Sequence, residues 1–176
     1  MKPGDAKAHF CHQQGLTFVE LMIAMLIAAV IAVAVGYSIA HLFNMNTRNS
    51  NYMIAVRQVQ SAGYWVTRDA EMARPELTST TVPGKLLSLS WYDTDNTTIT
   101  HSADFTLDKG VLYRRYDSGD KSAIASHIAA TIDQVATDEN GHIVSFVFNV
   151  TASVTTRGIT GNESRDYKVT LRPGAQ

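Results

Sequence analysis

The sequence predicts an α+β fold, a long N-terminal helix packed against an antiparallel β-sheet head. Three observations carry this expectation. Leu21 to Ala40 is a run of 20 residues without a charge, and no proline interrupts the chain between Pro3 and Pro75. Beyond residue 76 the helical period gives way to short alternating runs separated by turn residues. The expected divisions are a leader at 1–15, an apolar half-helix at 16–43, an amphipathic half-helix at 44–74 and a β-rich head at 75–176.

Composition narrows the function classes. The chain has 176 residues and a formal net charge of -1, so no global field steers it toward nucleic acid or strongly charged partners. Residues 75–176 hold nine Lys and Arg against twelve Asp and Glu, with no basic cluster interleaved with aromatics, and direct nucleic-acid binding is not expected. Cys11 is the only cysteine, which excludes an intramolecular disulfide and a Cys-rich metal site. His9, His12, His41, His101, His127 and His142 lack the i, i+4 spacing that sets two imidazoles on one helical face. No metal and no cofactor is expected.

Residues 1–15 are polar, with Lys2, Pro3, Gly4, Asp5 and Lys7, and contain nothing able to bury itself as an element. They read as a leader. At about 1.5 Å per residue, Leu21 to Ala40 is long enough as a helix to cross a hydrocarbon core of roughly 30 Å. A conventional secretory signal would use Ala32-Val33-Ala34 for cleavage, but the apolar run is too long for one. A lipoprotein signal needs its apolar stretch before the cysteine, whereas Cys11 precedes the span.

Glu20 stands at the start of this apolar helix. A carboxylate inside a span costs roughly 2.5–3.5 kcal/mol, so it marks function by default. The helix dipole returns only about 0.3–1 kcal/mol to an acid in the first turn. The remainder requires a cation, unless the glutamate snorkels to the membrane edge.

A short basic leader ending in Gly15, then Leu16-Thr17-Phe18-Val19-Glu20, then the span, resembles the class III signal of type IV pilins and pseudopilins. The resemblance implies that a prepilin peptidase cuts on the cytoplasmic side between Gly15 and Leu16 and methylates the new amine of Leu16. It implies that Thr17, Phe18 and Glu20 serve assembly. Glu20 then pairs with the Leu16 amine of a neighbouring subunit and sets axial register. The implied partners are the peptidase, other pilin-like subunits and an inner-membrane assembly platform. The implied location is the inner membrane, leader in the cytoplasm and head outside, and then a pilus or pseudopilus.

The helix is expected to run from about Leu16 to about Ala73, with Gly36 its soft point and Pro75 its stop. Tyr52, Ala55, Val56, Val59, Ala62, Gly63, Val66, Ala70 and Ala73 recur every three to four residues and form the stripe that packs on the head, with Val56, Val59, Gly63 and Val66 at its centre. Arg57, Gln58, Arg68, Asp69, Glu71 and Arg74 are assigned to a solvated face.

In the head, strands are expected at Lys85 to Tyr92, Thr98 to Leu107, Val111 to Tyr116, His142 to Val154 and Asp166 to Arg172. Ile124 to Val135 is ambiguous. Pro83-Gly84, Asp108-Lys109-Gly110, Ser118-Gly119-Asp120 and Asn140-Gly141 supply turns. One antiparallel sheet laid on the half-helix buries both apolar faces. No nucleophile elbow, dinucleotide fingerprint, phosphate loop or His-Glu-x-x-His occurs, and the chain is expected not to be an enzyme. Asp93, Asp95 and Asn96 lack the glycine and terminal glutamate of a calcium loop and read as a turn.

The stretches Val66 to Arg74 and Gly110 to Arg115 are similar to those of J-type minor pseudopilins and W-type minor pilins, which implies a minor subunit. Two readings from other classes stay open. One is a single-span anchored binding module that never polymerises. The other is a tethered hydrolase, which needs a cleft holding perturbed acids from among Asp93, Asp104, Asp117 and Asp120.

Overall fold

The computed structural model describes residues 17–80, 84–93, 98 and 100–172. The leader with Gly15 and Leu16, and the expected turn residues Pro83, Asp95 and Asn96, lie outside the described residues. The chain divides into two units, Met1–Phe43 and Asn44–Gln176.

A single helix, α1, spans Phe18–Met72. Within the first unit its described side chains are all exposed, and they present large apolar groups such as Phe18, Ile23, Leu26, Val30 and Ile39. The helix is long and apolar enough here to cross a membrane. It runs unbroken through Gly36, and the nearby Ser38 hydroxyl donates back to the Ala34 carbonyl at 2.9 Å, which satisfies that donor within the helix.

In the second unit, α1 buries Asn51, Ala55, Val59, Ala62, Gly63, Val66, Asp69 and Ala70. These fall three to four residues apart, on one face. Of the expected stripe, Val59, Gly63 and Val66 are buried, Val56 is half-buried and Tyr52 is exposed. The helix ends at Met72, and Pro75–Leu77 forms a single 3-10 turn.

Seven strands follow: β1 Leu87–Tyr92, β2 Thr100–Asp108, β3 Val111–Tyr116, β4 Lys121–Ser126, β5 Ile128–Thr137, β6 Ile143–Thr156 and β7 Ile159–Thr170. They form two antiparallel sheets, β1-β2-β3-β4 and β5-β6-β7, where one was expected. The ambiguous Ile124 to Val135 stretch is the reason. His127, at φ 58, separates β4 from β5, so the chain leaves one sheet and enters the other in one residue. The junction is held by Ile128 N–H donating to the Gly110 carbonyl (3.0 Å) and Ser153 N–H donating to the His127 carbonyl (2.9 Å).

Both meanders use tight turns. Lys109-Gly110 (φ 48 and 76) joins β2 to β3, and Arg157-Gly158 (φ 53 and 77) joins β6 to β7. Two consecutive positive φ values match the twist of a hairpin and place glycine where no Cβ strain arises. The second turn and the first half of β7, Ile159 to Arg165, escaped the sequence reading because this stretch is polar and carries Gly161. It is a strand because β6 pairs with it throughout, from Thr156↔Ile159 to Ser145↔Thr170.

One hydrophobic core joins the helix stripe to both sheets: Leu87, Leu89, Phe105 and Leu112 come from the first, and Phe146, Phe148, Val150 and Val169 from the second. Small residues on α1 let the sheets approach closely. A Cβ on Gly63 would sit 2.1 Å from the Tyr167 ring, and one on Gly161 would sit 2.4 Å from the backbone nitrogen of Tyr52. Tyr167 also donates its hydroxyl to the Val59 carbonyl at 3.2 Å.

Gly63→Ala is expected to displace a side chain and cost about 1–3 kcal/mol. Gly161→Ala meets helix backbone, which yields less, and is expected to cost more. Denaturant unfolding of both variants checks the order; equal or reversed costs would contradict this packing.

Candidate functional site

The start of α1 carries a reciprocal cap. Thr17 N–H donates to Glu20 Oε2 at 2.8 Å, and the Thr17 hydroxyl reaches the same oxygen at 3.0 Å. Glu20 N–H in turn donates to Thr17 Oγ1 at 3.3 Å. This is a capping box, in which a threonine and a glutamate three residues on satisfy each other's end-of-helix donors. The sequence pattern Thr-x-x-Glu contained it, but the carboxylate was read for its charge alone. Phe18, between the two, is 75% exposed and follows the cap as the first residue of the helix.

The apolar helix, its capped glutamate and the glycine before them now form one pattern. Residues 11–36 match the prokaryotic N-terminal methylation motif. This is a type IV prepilin-like signal, and it implies processing by a prepilin peptidase and association with a membrane. Together with the apolar helix it fits a membrane-anchored protein. Nothing matches among curated proteins or solved structures.

The head of this prepilin-like chain is tied to α1 by polar contacts at three levels. Near the start of the second unit, Asn51 is 2% exposed; its amide donates to the Ile159 carbonyl at 2.7 Å and accepts from the Thr156 hydroxyl at 3.0 Å. In the middle, Ser61 donates to the Ile124 carbonyl at 2.7 Å, and Gln58 Oε1 accepts from Ser126 N–H at 2.7 Å. Toward the end, Asp69 receives Arg114 through two bonds, Nε at 2.5 Å and Nη2 at 2.9 Å.

Asp69 and Gln58 therefore do not belong to a solvated helix face. Asp69 is fully buried, and the planar guanidinium of Arg114 meets its two oxygens in the fork geometry that favours arginine. Charge patterning along the helix cannot show this, because the partner lies 45 residues away on β3. The Arg114 guanidinium also lies 4.8 Å from the Trp65 ring centre and 5.3 Å from that of Tyr116, so the pair is walled by aromatic faces.

Of the four acids considered for hydrolysis, Asp93 and Asp117 lie beside the same two side chains, His101 and Tyr116, and Asp104 is tied elsewhere. Asp104 is bound by Lys85 at 2.7 Å and by the Ser88 hydroxyl at 2.7 Å. Asp120 is exposed. Asp117 pairs with His101 Nδ1 at 2.9 Å and accepts from Ser102 N–H at 2.6 Å. Burial pushes the Asp117 carboxyl up, but these two bonds outweigh it and hold the group below the usual aspartate range. Asp93 lines a cleft with Trp91, His101 and Tyr116. Among the described residues no cluster of three or more His, Cys, Asp or Glu is placed to hold a metal.

Asp69→Ala is expected to destabilise the head by about 3–5 kcal/mol, since it leaves the Arg114 guanidinium without its counter-charge. Asp69→Leu combined with Arg114→Met restores part of that loss; a double variant no better than the single one would contradict a charge-based cost. The depressed Asp117 carboxyl stabilises the fold fully above the ordinary aspartate range, and that contribution is lost as pH falls through its folded value. Melting temperature against pH should show a shallower acid limb in Asp117→Asn than in the parent.

Proposed function

We propose that this chain is a minor pilin-like subunit, inserted into the inner membrane by α1 and extracted from it into a type IV pilus or a secretion pseudopilus. The observation that carries this reading is the methylation motif over residues 11–36, running directly into the apolar half of α1. In this reading a prepilin peptidase cuts after Gly15 while the leader is cytoplasmic and methylates Leu16. Assembly is then the whole function, with no catalytic turnover.

Glu20 has the central role. Both bonds from Thr17 fall on Oε2, so Oε1 is the oxygen offered to the Leu16 amine of the next subunit. The capping box fixes the carboxylate at the helix end, which lowers the entropy lost when the intersubunit pair forms. In low dielectric such a pair outlasts solvent screening, and so it selects one axial register. Other pilin-like subunits and an inner-membrane assembly platform are the required partners.

A minor rather than a major role is supported by two features. The chain after Gly15 contains no cysteine to close a C-terminal loop. The two stretches that resemble J-type and W-type minor subunits, Val66 to Arg74 and Gly110 to Arg115, are the ones that the Asp69–Arg114 pair joins.

Intact-mass measurement with and without a prepilin peptidase tests the processing. The expected product lacks residues 1–15 and carries one added methyl on Leu16; an uncut chain, or a cut after Ala34, overturns the reading. Glu20→Gln is expected to insert into membranes at the parental level but to drop out of sheared filaments by about tenfold or more, as befits the loss of a desolvated ion pair. Parental function with no filament dependence would point instead to an anchored binding module.

A further inference from the structure

The outward face of the first sheet carries a depression of about 170 Å³, lined by Gly84, Lys85, Asp104, Thr106, Arg115 and Lys121. That is below the roughly 300–1,000 Å³ of drug-sized sites and suits a small ion. Strand pairing builds it. Asp104 on β2 stands opposite Arg115 on β3, and Arg115 stands opposite Lys121 on β4. The neighbours of Asp104 along β2, Ala103 and Phe105, belong to the core, so Asp104 and its row point the other way, to solvent.

The single carboxylate of this row is already engaged on both oxygens. Asp104 Oδ1 accepts from the Ser88 hydroxyl at 2.7 Å, and Oδ2 meets Lys85 Nζ at 2.7 Å. Arg115 and Lys121 are exposed, and among the described residues neither has an ion-pair or hydrogen-bond partner. Asp120, next to Lys121 in the chain, pairs with neither cation. Like charges directly opposite on adjacent strands destabilise a sheet, so Arg115 and Lys121 keep a repulsion that the chain itself does not answer. The undescribed residues before Gly84 are Thr81, Val82 and Pro83, which carry no charge. The undescribed acid Asp95 precedes Thr100, which is itself four residues, about 13 Å, along β2 from Asp104.

We propose that this depression binds a phosphate dianion, held between Arg115 and Lys121 with Lys85 and the Thr106 hydroxyl at its rim. Three cations against one carboxylate leave the lining with two positive charges in excess, which a doubly charged anion matches and a singly charged one does not. The Arg115 guanidinium offers two parallel donors to two oxygens of such a group, and the lysines act as point charges. An anion seated between Arg115 and Lys121 turns their repulsion into two attractions. Two sources share this chemistry, free phosphate and the terminal group of a small phosphomonoester. A phosphodiester carries one charge and is disfavoured, in keeping with a head not expected to bind nucleic acid. The inference is independent of filament assembly, since an anchored head carries the same row.

Calorimetric titration of the full chain in detergent micelles tests the site, with inorganic phosphate and glycerol 3-phosphate as ligands and dimethyl phosphate as the singly charged control. Ionic strength is held constant with sodium chloride, at about pH 8, where a phosphomonoester is doubly charged. Binding in roughly the millimolar range or tighter is expected for at least one dianion, and about tenfold weaker binding for the diester. Inorganic phosphate alone identifies the free ion as the source; both dianions identify a phosphoryl end. Arg115→Gln and Lys121→Gln should each weaken binding about tenfold, and Arg115→Lys less. Asp104→Asn should tighten it severalfold by removing the opposing charge, an effect that lost folding cannot mimic. Binding of neither dianion, equal binding of the diester, or indifference to the Arg115 and Lys121 substitutions overturns the proposal.

Discussion

The architecture depends on how closely two backbones approach along one face of α1. Gly161 on β7 leaves room for the helix backbone at Asn51 and Tyr52, and Gly63 on the helix leaves room for the Tyr167 ring. Alanines at 55 and 62 lie between these two points on the helix, and Ala70 lies beyond the second. With so little side-chain volume on the helix, the bulk of the core comes from the sheets, in Phe105, Phe146, Phe148 and the leucines of β1. Close packing of this kind leaves few voids and transmits any volume change, so the second half of α1 and the two meanders form a single folding unit.

On that apolar seam the polar contacts act as register marks. Asn51, Gln58, Ser61 and Asp69 each meet a different partner in the head. Sliding the helix by one turn would leave Asn51 and Asp69 buried without a mate and break the contacts of the half-buried Gln58 and Ser61, and an unmatched buried polar group costs about 1–3 kcal/mol. Hydrophobic burial alone tolerates such slips, because one small residue replaces another. The Asp69–Arg114 pair, with Asp69 fully buried and Arg114 half-buried, is the strongest of these marks, since a wrong register would leave the buried carboxylate without its cation.

The first half of α1 obeys a different solvent. Its residues from Leu21 onward present apolar surface all round, and the hydrogen bonds of the helix satisfy the backbone internally, as a membrane demands. Glu20 is the exception, and Thr17 manages part of its cost by capping. A carboxylate held this way completes the end of the helix and remains oriented. Its charge is not cancelled, because threonine brings no cation, and that residual charge is what the proposed assembly contact uses.

The sequence by itself determined the elements governed by local pattern. An uncharged run and the lack of proline define the helix; alternation and glycine-bearing turns define β1, β2, β3 and β6; and the motif at residues 11–36 is contiguous, so reading along the chain finds it. Position along the chain also placed Glu20 at the end of the apolar helix, though its capping partner went unread. What only the tertiary structure decided are the relations between distant residues: the split into two sheets at His127, the full length of polar β7, the burial of Asp69 and the aromatic cleft between β1, β2 and β3. Periodicity records which face of an element is apolar, but an ion pair 45 residues apart or a strand held by its neighbour leaves no local trace, because its energy exists only once the chain has folded.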